Sequence, residues 1–306
     1  MKPLKNSPFT NIGQVGVVVE DIDKTIAQLT PLGIGPFKQV GQFLNYHEYR
    51  GYKSKGNELK PRIKITKMGN TDFELIQPPE APSIWRDFLK EKGEGLHHLG
   101  FFVHNIDQVE SELLKEELKI VQKGRSDIGG GYTYFETDEV GGVIFEIVEQ
   151  ASSVEIPQTR NGENPFAVLH QVASIVADID KTVNYYSLLG IGPFKELKME
   201  LTHRWLRGML VQPKNKILLT QVGDVEMELI QPIEGSSIHM EFLTQRGEGF
   251  QHLGFSLNEE IHDEIEKIAK LGATKSAYGY GPGNAFSYYE PISGIILEVF
   301  KRESQE

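Results

Sequence analysis

The chain contains no cysteine, so no disulfide can form and no thiolate is available as a metal ligand. It is also short of positive charge, with 32 Lys and Arg against 43 Asp and Glu and a net charge of −11. That balance argues against nucleic acid or an acidic membrane surface as partner, since both need a basic footprint. No apolar run reaches the roughly 20 residues of a membrane-spanning helix. The opening segment Met1-Lys2-Pro3-Leu4-Lys5 lacks the apolar core of a signal peptide. A soluble, cytoplasmic protein, monomer or homodimer, is the expectation. The remaining composition, 39% hydrophobic and 25% charged over 306 residues, is globular and long enough for about two domains.

What the chain does contain is a duplication. Asp21-Ile22-Asp23-Lys24-Thr25 recurs as Asp178-Ile179-Asp180-Lys181-Thr182, and the segment from Leu32 to Lys38 recurs from Leu189 to Lys195. Glu74-Leu75-Ile76-Gln77-Pro78 recurs from Glu228 to Pro232, Gly93 to Phe101 matches Gly247 to Phe255, and Gly142 to Glu146 matches Gly294 to Glu298. The matches are collinear and recur roughly 155 residues apart, as a tandem repeat with small loop-length changes requires. The reading is a first module at 1–150, a polar linker at 151–164 and a second module at 165–306.

Within each copy two halves follow one order: a strand, an amphipathic helix, then further strands. Gln14 to Val19 is β-rich, Asp21 or Asp23 can cap the helix behind it, and Gly33 can end it. Leu96 to Val103 opens the second half, with Ile106, Val109, Leu113 and Leu114 at helical spacing after it. The fold class expected is α+β, with four βαβββ units forming curled mixed sheets. A short helix carrying Trp85, Phe88 and Leu89, or Ile238, Phe242 and Leu243, reads as a plug against the sheet.

Four polar positions per copy interrupt otherwise apolar strands: Gln14, Glu74, His98 and Glu146, and Gln171, Glu228, His252 and Glu298. Side chains alternate between faces along a strand, so Val15, Val17, Leu99, Phe101, Phe145 and Ile147 share a packing face and the polar set projects from the other. Two carboxylates, an imidazole and an amide converging on a curled face make a cation cage. The bland alternative is a set of solvated strand residues copied by duplication. His97 is replaced by Gln251 in the second copy and is the weaker ligand.

These segments, Gly95 to Phe101 and Glu74 to Pro78 above all, resemble the vicinal oxygen chelate superfamily (glyoxalase, bleomycin resistance and extradiol dioxygenase proteins), and among its members methylmalonyl-CoA epimerases. The resemblance runs over both copies. It implies paired βαβββ units curled around a divalent ion, with ligands at Gln14, Glu74, His98 and Glu146 and at their four counterparts. Epimerases carry His where this chain has Gln14 and Gln171; the Gln/Glu/His/Glu set is similar to that of some glyoxalase I enzymes. The resemblance implies Zn, Ni, Co or Mn, with Fe less suited, and Glu146 and Glu298 acting as base as well as ligand.

The expected activity is an enolising isomerase or epimerase acting on a small carbonyl or acyl substrate, with a glyoxalase I-type lyase as the alternative. An extradiol dioxygenase and a non-catalytic small-molecule-binding protein rank behind. Glu48 is either a second base, unmatched because its counterpart is Trp205, or an exposed strand residue, the favoured reading; Arg50 and Arg207 are either carboxylate clamps or surface ion pairs. Tyr132, Tyr134, Tyr278 and Tyr280 are placed near a pocket by the glycine-rich loops beside them. A site completed within one copy, or shared so that Gln14 and Glu74 meet His252 and Glu298, is equally compatible with the repeat.

Overall fold

The computed structural model describes residues 2–40, 44–55, 60–126, 129–150, 155–159, 164–257 and 261–302. The first module runs β1 (Ile12–Val18), α1 (Ile22–Leu29), β2 (Lys38–Val40), β3 (Leu44–Tyr49), β4 (Tyr52–Lys55), β5 (Arg62–Met68) and β6 (Thr71–Gln77). It continues through α2 (Ile84–Lys92), β7 (Gly95–Phe102), α3 (Ile106–Lys115), β8 (Ile120–Ser126), β9 (Gly131–Phe135) and β10 (Ile144–Glu149). The second repeats the order: β11 (Gln171–Ile175), α4 (Ile179–Leu188), β12 (Lys195–Glu196), β13 (His203–Leu206), β14 (Met209–Leu210), β15 (Lys214–Val222) and β16 (Val225–Glu234). There follow α5 (Ile238–Arg246), β17 (Gly249–Ser256), α6 (Ile261–Lys270), β18 (Lys275–Gly281), β19 (Asn284–Ile292) and β20 (Ile295–Lys301).

Each module is one curled, ten-stranded mixed sheet, ordered β2-β5-β6-β1-β7-β10-β9-β8-β3-β4 in the first and identically, strand for strand, in the second. The second half of each module is a plain βαβββ unit. The first half carries an additional hairpin, β3–β4 or β13–β14, that leaves its own half and pairs with β8 or β18 of the other. A periodicity reading cannot see this crossing, because the partner strand lies far along the chain.

Local chemistry sets the helix starts. The Asp21 carboxylate accepts from the backbone N–H groups of Asp23 and Lys24, and Asp178 accepts from Lys181, each cap contributing about 1 kcal/mol. Ser83 and Ser237 cap α2 and α5 in the same way. The valines at 15 and 17 join a core shared by both modules, where Phe9 lies 5.0 Å from Phe101 and 5.2 Å from Phe145 between ring centroids. Tyr186 on α4 reaches Phe145 from the second module at 5.5 Å.

The two copies also grip each other reciprocally. Glu248 accepts from the Gly141 N–H, Arg246 donates to the Glu94 carbonyl at 2.8 Å, and the Thr25 and Ser293 hydroxyls lie 2.6 Å apart. Gly142 and Gly294, at φ of 66° and 75°, lie against the partner module so closely that a Cβ would fall 2.4 Å and 2.1 Å from the carbonyl oxygens of Glu248 and Glu94. Of the connecting segment, 151–154 and 160–163 lie outside the described residues. Within 155–159, Pro157 accepts from the Lys67 N–H and Thr159 donates to the Lys67 carbonyl, so this stretch is laid against β5. No helix is long and apolar enough to cross a membrane among the described residues.

Candidate metal centres

Both sheets place the four polar positions on adjacent strands. In the first, β6, β1, β7 and β10 are consecutive neighbours and carry Glu74, Gln14, His98 and Glu146; in the second, β16, β11, β17 and β20 carry Glu228, Gln171, His252 and Glu298. Each quartet therefore comes from a single module, and Gln14 and Glu74 do not meet His252 and Glu298. All eight residues are buried.

The distances are short. His98 Nε2 lies 3.1 Å from Glu146 Oε2 and 3.6 Å from Glu74 Oε2. His252 Nε2 lies 3.2 Å from Glu298 Oε2 and 3.4 Å from Glu228 Oε2. In the second module, one ligand atom from each of these three residues falls within 4.8 Å of the others. The amides differ: Gln14 donates to Glu74 at 2.9 Å, whereas Gln171 donates to Glu226 at 2.9 Å and leaves its own Oε1 buried with no partner.

A departure from strand alternation orients the imidazoles. Gly16 pairs with His98 and Val17 with Leu96, so His97 is an extra, bulged residue, as is Gln251 in the second module. Simple alternation sends His97 to the packing face with Leu99. The bulge instead turns it toward the site, 3.0 Å from His98 Nδ1 and with Phe88 of α2 edge-on. Gln251 donates to the Ile238 carbonyl, which fixes the orientation of its amide; its Oε1 then accepts from His252 Nδ1 at 3.1 Å and His239 Nδ1 at 2.7 Å. The proton of His252 is thereby held on Nδ1, leaving Nε2 toward the two carboxylates.

That arrangement lacks a positive charge. A bare Nε2 and two carboxylate oxygens pointing at one spot repel unless a cation or an added proton lies among them. His98 Nε2, Glu146 Oε2, His252 Nε2, Glu228 Oε2 and Glu298 Oε2 are all buried without a hydrogen-bond partner. In the first module burial pushes the Glu146 carboxyl up to about 8; burial and the Glu146 charge push Glu74 up as well, while burial drives His98 down to about 3. In the second, burial works against protonation of His252, but the facing Glu228 and Glu298 carboxylates, 3.4 and 3.2 Å away, lift it to about 9. The copies meet one deficit in two ways, a protonated carboxyl and an imidazolium. A divalent ion fits both, and Gln171 Oε1 offers the second module a further oxygen.

The modules diverge around this shared centre. In the second, a cleft opens onto Glu228 and Glu298, lined by Leu201, Arg204, Ile238, His239, Tyr288 and Arg302 among others. In the first, Trp85 occupies the place of His239, donates to the Tyr134 hydroxyl, and packs with Tyr132 and Tyr134 over the quartet. Gly16 marks another difference. A Cβ there would sit 1.8 Å from His98 Cε1, whereas Ala173 fills the matching position opposite His252. Gly16→Ala is expected to displace the His98 ring and weaken ion binding at the first centre by about 10- to 100-fold without touching the second. Titration of the metal-stripped protein, followed by ion content per chain, reads this out.

The alternatives left open for the other polar residues are resolved in the structure. Glu48 lies between the buried His47 and Tyr49 on β3 and so projects from the opposite face, away from the quartet. Arg207 is bound bidentately to Glu241 at 2.8 and 2.9 Å and Arg50 faces Asp87, so both are surface ion pairs. Tyr278 and Tyr280 stack with Trp205 and His203 instead of facing the centre. The tyrosine that does face it is Tyr288, opposite Glu298 as Tyr134 is opposite Glu146. Sequence reasoning missed Tyr288, His239, Gln251 and Arg302; aligning Tyr134 with Tyr288 across the repeat was the one available signal.

The chain matches the model of the glyoxalase/bleomycin resistance protein/dioxygenase superfamily at residues 13–135 and again at 170–288. A triple mutant of 4-hydroxymandelate synthase from Streptomyces coelicolor is similar over 97% of this chain and 94% of its own, at 11% identity and a TM-score of 0.59. A xylose isomerase-like TIM barrel/4-hydroxyphenylpyruvate dioxygenase fusion protein is similar over 100% of this chain and 51% of its own, at 12% identity and a TM-score of 0.54. Likenesses at this identity show the fold alone. The uncharacterized protein YqjC of Bacillus subtilis (strain 168) is 27% identical over 94 residues, 30% of this chain and 67% of that protein.

Proposed function

From the premise that the chain belongs to the glyoxalase/bleomycin resistance protein/dioxygenase superfamily, we propose that it is a divalent-metal-dependent enolising isomerase or epimerase working at the second centre. The observation that carries this reading is the floor of the cleft, where His252 Nε2 and the Glu228 and Glu298 carboxylates converge unpartnered beneath an open volume. Glu228, His252, Glu298 and Gln171 would hold the ion there, and Gln14, Glu74, His98 and Glu146 a second one in the first module. Bound there, Zn, Ni, Co or Mn supplies positive charge to a carbonyl or acyl oxygen.

The protein's own part is to move the proton. Glu298 stands at the cleft floor with Tyr288 directly across the strand pair, so its carboxylate takes a proton from the carbon beside the carbonyl and delivers it to the adjoining carbon of the enolised substrate, return to the first carbon giving exchange alone. His239, neutral because burial pulls it down to about 4, has its Nδ1 committed to Gln251 and borders the same cleft through the rest of its ring. The apolar walls exclude water from the reacting carbon. A ring-cleaving dioxygenase is disfavoured by the donor set: one imidazole and two carboxylates converge, and His239 turns its Nδ1 to an amide.

Incubation of the metal-loaded protein with 2-oxo acids and acyl thioesters in deuterated water tests the reading. Deuterium should enter the α-carbon of a recovered substrate and stop entering on chelation; no metal-dependent exchange into any enolisable compound overturns it. A glyoxalase I-type lyase, the reading favoured by the Gln/Glu/His/Glu set, instead turns a hemithioacetal into a labelled hydroxyacyl thioester.

A further inference from the structure

Two guanidinium groups line the second cleft, and they differ in what they face. Arg302 is committed: its Nη1 lies 2.5 Å from Glu226 Oε1 and its Nη2 3.9 Å from Glu228 Oε1. Arg204, on β13, makes no side-chain hydrogen bond or ion pair among the described residues. Burial alone acts on it, lowering its pKa with no anion to offset the loss of water. Among the described residues, no carboxylate pairs with this cation.

The side chain is aimed by its strand. Leu206, two residues on, packs with Ile238, Ala277 and Tyr288 on the cleft side, and alternation puts Arg204 on that same face. Across the cleft, the Oδ1 atom of Asn215 is buried without a partner, an acceptor suited to a hydroxyl or N–H on the substrate body and not to its anionic end. Between the two run Leu197, Met199, Leu201, Val211, Ile217 and Phe286, an apolar wall. The repeat provides an internal control. Where the second module has Arg204 the first has His47, which is buried, bonded to the Tyr132 hydroxyl and held neutral by burial that drives it down to about 4.

We propose that the substrate of the second centre is an amphiphilic carboxylate, its apolar body lying on the Leu197–Phe286 wall and its carboxylate held by Arg204. A carboxylate matches one free guanidinium, whose fork pairs with its two oxygens; a phosphate dianion would call for more cationic donors than the cleft has free. The anion releases Arg204 from an otherwise uncompensated desolvation, so the charge contributes selectivity against neutral analogues. The inference deepens the proposed function, since it takes this cleft to be the substrate site.

Calorimetric titration of the full chain with decanoate, decanamide and decyl phosphate tests it, with and without a chelator. Decanoate should bind the wild type, and Arg204→Gln should weaken it by about 10- to 100-fold. Decanamide should bind both proteins equally and less tightly than decanoate binds the wild type, and Arg204→Lys should recover part of the loss. An unchanged unfolding temperature for Arg204→Gln shows that the fold is intact. Equal decanoate binding by wild type and Arg204→Gln overturns the proposal, as does decyl phosphate binding more tightly than decanoate. Binding that survives chelation keeps the carboxylate anchor even if the metal reading fails; binding that depends on Arg204 alongside absent proton exchange separates the two failures.

Discussion

His252→Ala should remove one bound divalent ion per chain and reduce substrate proton exchange by at least about 1,000-fold, a loss of the several kcal/mol that charge on a reacting oxygen supplies. His98→Ala should remove the other ion and leave exchange within a few-fold of wild type. The asymmetry follows from what surrounds two similar donor sets. The second opens onto the cleft through Glu228 and Glu298, while Trp85, Tyr132 and Tyr134 pack over the first. Elemental analysis of each variant beside the exchange rate decides the matter. Equal losses of exchange in both variants would show that catalysis is not confined to the second module, and full exchange in His252→Ala would end the assignment of the centre.

Stripping the metal should make the fold lose stability as pH rises from about 6.5 to about 8, and restoring the ion should flatten or reverse that slope. Glu146 titrates at about 8 in the folded chain against about 4.3 unfolded, and His252 at about 9 against about 6.5. Both folded values are raised, so the stability they contribute is full below the unfolded value and is lost as pH climbs through the folded one. Glu146 therefore acts from about 4.3 to 8 and His252 from about 6.5 to 9, overlapping between about 6.5 and 8. His98, His47 and His239 are depressed instead, to about 3, 4 and 4, and their effect is confined below about 6.5. Within the overlap each group costs up to about 1.4 kcal/mol per pH unit. A divalent ion binds the deprotonated donors, so holo stability rises over the same range. Thermal unfolding across pH 6 to 9, with and without chelator, is the measurement; an apo slope of the opposite sign would show that the donors are not electrostatically frustrated when empty.

Much of the candidate centre is legible in the sequence. The repeat is written in matched segments, and strand alternation sorts Gln14, Glu74, His98 and Glu146 away from Val15, Val17, Leu99 and Phe145, because a pleated strand admits only two directions. The caps at Asp21 and Asp178 were legible for the same reason: they depend on the next three residues alone. Where alternation fails, at His97 and Gln251, the cause is a bulge set by pairing with another strand, and no local pattern announces it.

The sequence by itself determined the duplication, the α+β class and the donor types, all of which rest on contacts short in sequence or on repetition. Tertiary structure decided that each quartet closes within its own sheet, that Trp85 packs over one centre while His239 borders an open cleft at the other, and that Arg204 rather than Arg207 is left without a counter-ion among the described residues. Those outcomes depend on which side chains arrive from distant strands, and a charge is spent or free only according to what is packed beside it.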